Sequence, residues 1–130
     1  MSIIQMLSGG DKRSIGKSDE ITKLVLKNNS LFIELFNCLL VSDELIRMRA
    51  ADAIEKVTIT KPELLKPFKN KILNEVANIH QQEVEWHVAQ LIPRLDLTPD
   101  EFKMAVIILN KFIDNTKSNI VKVFFNAITG

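Results

Sequence analysis

From Ser18 onward, apolar residues recur every three or four positions and are interrupted by short polar or proline-containing stretches, a pattern that predicts a run of short helices rather than strands. Ile21, Leu24 and Val25 give one apolar face to a first helix, which Asn28-Asn29 ends. Residues 31–41 are almost continuously apolar, broken mainly by Glu34 and Asn37, and predict a buried helix. Ser42-Asp43-Glu44 opens the next, ELIRMRAADAIEKV. Thr60-Lys61-Pro62-Glu63 has the spacing of a capping box, Pro67 marks a second helix start before FKNKILNEVANI, and His80-Gln81-Gln82 breaks the chain before EVEWHVAQLIPRL. Thr98-Pro99-Asp100-Glu101 repeats the capping box ahead of FKMAVIILNKFID, and residues 114–118 turn into NIVKVFFNAI. Pro93 should kink its helix or end it early.

Two of these helices are copies of one pattern. Laid over each other at a spacing of 38, Ile46 falls on Val84, Ala50 on Val88, Ala51 on Ala89, Ile54 on Ile92 and Val57 on Leu95, with Lys56 on Arg94. A looser third copy puts Asn126-Ala127-Ile128 over Asp52-Ala53-Ile54. Repetition at roughly 37 residues, in paired helices, is the signature of a solenoid in which each pair buries its apolar face against the next.

The stretch SDELIRMRAADAIEKV resembles the second helix of a HEAT repeat through Asp43 in the turn, the Ile46-Arg47 pair, Ala50-Ala51, Ala53 and the closing Ile54. The second copy departs from the pattern, with Gln82 for the turn Asp and Glu85 for the Arg. The resemblance covers most of residues 31–128. It implies an all-α fold: a right-handed α-α superhelix, or solenoid, of about three HEAT-like helical hairpins in a single domain, 1–130. Residues 1–17 are then an N-terminal loop segment, 18–29 a capping helix and 30–130 the repeats.

Charge narrows the partners. With 17 Lys and Arg against 16 Asp and Glu, the net charge of +1 supplies no global field toward nucleic acid or an anionic membrane. A lone Cys38 within LFIELFNCLL forms no internal disulfide and is expected to pack as a buried hydrophobe. The opening MSIIQMLSGG has no basic flank and no long apolar stretch, and the run MAVIIL is far short of a membrane span. A cytoplasmic protein is expected.

The segment GGDKRSIGKS, residues 9–18, comes close to a nucleotide-binding P-loop. That motif needs Gly, four residues, then Gly-Lys-Ser/Thr, so that amides wrap the phosphates while Lys and the hydroxyl reach the terminal phosphate and its metal. Gly10 stands one residue too early, Asp11 occupies the required position, and no βαβ pattern follows. Ser18 reads instead as a helix cap, with Asp19 and Glu20 in the first turn. Lys12, Arg13 and Lys17 remain a candidate anion-binding loop.

At 100° per residue, the helix from Glu44 turns Met48, Asp52 and Glu55 away from its apolar side, flanked by Arg49 and Lys56. The matching helix turns Trp86, Gln90 and Pro93 outward, flanked by His87 and Arg94. In HEAT-like solenoids the second helices line the concave surface, so the resemblance implies a partner-binding face of Arg49, Asp52, Lys56, Trp86, His87, Gln90 and Arg94. Trp86 would anchor a protein partner, since Trp and Arg dominate interface energies. The competing reading packs Trp86 in the seam between repeats.

His80, Glu83 and His87, at i, i+3 and i+7, could present three ligands to a metal, but His80 falls at a helix boundary and no metal is expected. No Ser/His/Asp order or carboxylate pair is placed together by the sequence, and no cofactor is implied. The expectation is a non-enzymatic adaptor or scaffold. The alternative is a HEAT-like DNA glycosylase or nucleic-acid-binding protein using Trp86, Asp52 and Arg94. Against it stand the near-neutral charge and about half the repeats of that family. Phe124 and Phe125, close to the final Gly130, suggest self-association as a homo-oligomer through the C-terminal helix.

Overall fold

A computed structural model describes residues 2–8 and 17–115, and among them every regular element is helical. The expected third repeat copy, the Phe124-Phe125 surface, Lys12 and Arg13 lie outside the described residues. The chain divides into two compact units, Met1–Leu64 and Leu65–Gly130.

The first unit holds four α-helices: α1 (Ile3–Leu7), α2 (Ser18–Lys27), α3 (Phe32–Asn37) and α4 (Glu44–Thr60). Helix α4 is its hub and packs against the other three, most extensively against α2. It starts where the sequence predicts: Asp43 Oδ1 accepts the Leu45 and Ile46 N–H groups at 2.9 and 3.0 Å, and Glu44 adds negative charge to the first turn. Small Ala50, Ala51 and Ala53 are buried on it, which lets neighbouring helices approach closely. Ile21 and Val25 of α2, Phe32, Leu35 and Phe36 of α3, and Ile54 and Val57 of α4 complete the core. Each such side chain taken fully out of water contributes about 1.5–3 kcal/mol.

Three expectations are corrected here. Residues 1–17 are not all loop, since α1 is a helix with Ile3, Met6 and Leu7 buried. The apolar run 31–41 is not one helix: 3₁₀ turns at Asn29–Leu31 and Cys38–Leu40 flank a short α3. Thr60 does not cap a new helix; it stays in α4, which closes with the Lys61 N–H on Val57 O, and Pro62–Phe68 follows as a 3₁₀ segment.

The second unit contains α5 (Lys69–Asn74), α6 (Gln82–Leu91) and α7 (Pro99–Asn115). Helix α6 gives way to a 3₁₀ turn, Ile92–Arg94, around Pro93, whose ring and missing N–H disfavour continuing the α-helix. At the start of α7 the predicted capping box is formed: Glu101 N–H donates to Thr98 Oγ1 at 3.2 Å, and Thr98 N–H to Glu101 Oε1 at 2.9 Å. The same carboxylate takes Lys69 Nζ at 2.8 Å, tying α5 to α7, while Lys69 also reaches Asp96 O at 2.9 Å. These hydrogen bonds, Lys69 first, hold the Glu101 carboxyl below its ordinary range. The core takes Ile72 and Leu73 from α5, Val84, Val88 and Ala89 from α6, and Ala105, Leu109 and Phe112 from α7.

The positions aligned in the sequence at a spacing of 38 share a fate. Ile46, Ala50, Ala51, Ile54 and Val57 are buried in α4, and Val84, Val88 and Ala89 of α6 and Ile92 of the turn after it are buried as well; Leu95 alone of the ten is half-buried.

Candidate functional site

The seven residues assigned to one face fall into two groups, one in each unit. In the first unit, Arg49 is the correction. Expected at the edge of an open face, it is 1% exposed. Helix α1 lies against α4, and Arg49 Nη1 donates to the Leu7 carbonyl at 2.8 Å, at the end of α1 where unpaired carbonyls need a donor.

Asp52 and Lys56 do come together, as an i,i+4 pair with Nζ to Oδ2 at 2.8 Å. Lys56 Nζ also lies 2.7 Å from Asp19 Oδ1, and Ser18 Oγ donates to Asp52 Oδ2 at 2.8 Å. The four side chains form a polar joint between α2 and α4. The hydrogen bond from Lys56, with its charge behind it, holds Asp19 below the usual carboxylate range. Burial opposes the charge on Lys56, but its hydrogen bonds to Asp19 and Asp52 outweigh that and raise its pKa.

Ser18 is therefore not the cap of α2. Lys17 occupies the cap position and is exposed, and Ser18 is wholly buried with its hydroxyl on Asp52. Asp19 and Glu20 do occupy the first turn. A phosphate-loop serine must face a metal-bound phosphate, and this one faces a carboxylate on another helix.

In the second unit, Trp86, His87 and Gln90 of α6 and Arg94 of the turn after it are all half-buried. The helical phase places them on one side, opposite the buried Glu85, Val88 and Ile92. The surface combines a large aromatic ring, an amide, an imidazole and a guanidinium. The Trp86 indole N–H is itself buried and has no hydrogen-bond acceptor, which costs about 1–3 kcal/mol and marks this ring as held by packing. No family model, curated protein or solved structure matches the chain. The site must be read from its own chemistry.

Sequence reasoning missed Glu85. It points to the packed side of α6, is 6% exposed, and its Oε2 has no hydrogen-bond partner. The signal was present: at 100° per residue Glu85 falls within the arc of Val88, Ala89 and Ile92. Burial pushes its carboxyl above the ordinary range, against the fields of His80 and Lys111. An acid with a raised folded pKa binds its proton more tightly when folded, so its contribution is most favourable below the unfolded value near 4.5 and is lost as pH rises through the folded value. Glu85→Gln does not titrate. In urea titrations from pH 4 to 8, the stability of wild type minus variant is expected to fall as pH rises above about 4.5 and then level off; a flat difference would show that this carboxyl is solvated.

His80 is exposed in the break before α6. Among the described residues, no group of three His, Cys, Asp or Glu side chains is gathered to hold a metal ion, and no helix is long and apolar enough to cross a membrane. Cys38 is a free, buried thiol whose Sγ donates to Glu34 O at 3.4 Å. Burial, with the Glu34 charge behind it, pushes its pKa up to about 11.

Proposed function

We propose that the chain is a non-enzymatic protein-interaction module made of HEAT-like helical pairs, and that the outward side of α6 binds its partner. The observation that carries this reading is the grouping of Trp86, Gln90, His87 and Arg94 on one half-open side of a helix whose opposite side is core. Trp and Arg are the residues most enriched among those that dominate binding energy, and a ring fixed by packing loses little entropy on binding. The repeat reading is supported by the matched burial of the aligned positions in α4 and α6. The binding side is narrower than the sequence suggests, because Arg49 is enclosed and Asp52 and Lys56 are engaged with α2.

The glycosylase alternative has less support. Its carboxylate would be Asp52, and that group already accepts from Ser18 and Lys56 at 2.8 Å each. Release of a free base from alkylated DNA, with binding that falls steeply as salt rises, would restore it.

The test compares the wild-type chain with a Trp86→Ala/Arg94→Glu variant verified as folded by circular dichroism. Both serve as bait in a native lysate with nuclease controls, and the recovered partner is then titrated against each purified chain. Loss of a hot-spot pair is expected to weaken that partner at least about 30-fold. Equal retention by both baits would remove the α6 surface from consideration.

A further inference from the structure

Helix α1 has the properties of a ligand seated in a receptor. Five residues are too few for a helix to persist in water, so the surroundings must supply its stability. They do so at both ends and along one side. At the start, the Ile3 N–H donates to Glu34 Oε1 of α3 at 2.9 Å, placing a carboxylate at the positive end of the helix. At the finish, Arg49 of α4 holds the Leu7 carbonyl at 2.8 Å, placing a cation at the negative end. Between the clamps, Ile3, Met6 and Leu7 are buried while Ile4 and Gln5 face outward. The helix adds its own capping box, with Gln5 N–H on Ser2 Oγ at 3.2 Å and Ser2 N–H on Gln5 Oε1 at 3.0 Å. The walls are α2, α3 and α4, against all of which α1 packs. The groove thus recognises a short capped helix of the form Ser-apolar-x-Gln-apolar-apolar, by its two backbone ends and three side chains.

We propose that this groove also accepts the α1 of a second copy of the chain, so that two copies pair by exchanging α1. The second copy is the occupant because it carries the segment already seen to fit, and the contacts made within one chain are reproduced between two. Residues 8–17 join α1 to α2, a length of chain that spans at most about 30 Å. Since the bonded groups are the same in both arrangements, concentration decides between them. A short tether holds its segment near its own site at roughly millimolar effective concentration. Exchange therefore becomes appreciable as the chain itself approaches that range, or wherever copies are held together locally. This pairing involves only the first unit and does not depend on the α6 surface.

The test uses the wild-type chain. Sedimentation and light scattering are run from about 10 µM to about 2 mM, a range bracketing the millimolar tether value. At the top of the range, isotope-filtered NOEs are recorded on a one-to-one mixture of labelled and unlabelled chains. The expected result is a monomer at the low end, a dimer at the high end, and contacts between the methyl groups of Ile3, Met6 or Leu7 of one chain and α2, α3 or α4 of the other. A monomer throughout overturns the proposal. So does a dimer whose α1 contacts are all within one chain, since that dimer pairs through another surface.

Discussion

Arg49→Ala is expected to destabilise the folded chain by about 3 kcal/mol or more, one of the two largest effects of a single substitution proposed for it. Two losses add. A charge-assisted hydrogen bond to a buried carbonyl is worth about 1.5–3 kcal/mol, and Leu7 O is left without that donor at the end of α1. Removal of a long, fully enclosed side chain also leaves a cavity beside the end of α1 that the surroundings can fill only in part. Arg47, two residues earlier, is the internal control. It is half-buried and donates to Val41 O at 3.0 Å and Ser42 O at 3.3 Å, in the turn before α4, and Arg47→Ala should cost about 1 kcal/mol. Urea denaturation of both variants, followed by circular dichroism, checks the ordering. Equal losses would mean that burial of the Arg49 guanidinium contributes nothing beyond an ordinary surface contact.

Helix α3 supplies the second large effect. Phe36 is fully buried, and its ring lies 6.3 Å from that of Phe32 at an interplanar angle of 40°. Phe36→Ala should destabilise by about 3–5 kcal/mol, from lost burial, the residual cavity and the lost ring pair. Ile33, on the same helix, is 59% exposed, and Ile33→Ala should stay within about 0.5 kcal/mol. The contrast separates helix propensity from packing, since both changes introduce the same residue into the same short helix. Thermal and urea unfolding of the pair check it. A loss of several kcal/mol for Ile33→Ala would place that side chain in a contact with a neighbouring copy.

Some features of the fold are legible in the sequence because the interactions behind them are local. Asp43, and Thr98 with Glu101, cap their helices as predicted, because a cap is a local hydrogen bond within three residues of sequence. The aligned core positions of α4 and α6 were legible because amphipathic phase is also local. The run 31–41 was not, since Glu34 and Asn37 are its only polar marks and give no sign of where an α-helix tightens into a 3₁₀ turn. Helix α1 was missed because five residues hold too little periodicity, although Ser2 and Gln5 already had capping-box spacing. Arg49 followed from that miss: its partner is 42 residues away, and phase alone left it at the margin of an open face. Helical phase put Asp52 and Lys56 toward one side of their helix, yet their engagement with Ser18 and Asp19 depends on how α2 lies across α4. Glu85 could have been found by asking which charged residue breaks a buried arc.

The Cys38 thiol, the single one in the sequence, gains further meaning from its surroundings. Enclosed in the first unit and with its pKa near 11, it offers electrophiles almost no thiolate at neutral pH while that unit is closed. Alkylation therefore proceeds through open states, and its rate, divided by that of an unhindered thiol, counts the fraction of time the first unit spends open. The chain carries its own clock for breathing, one that needs no added label and reads the half of the molecule where α1 is clamped.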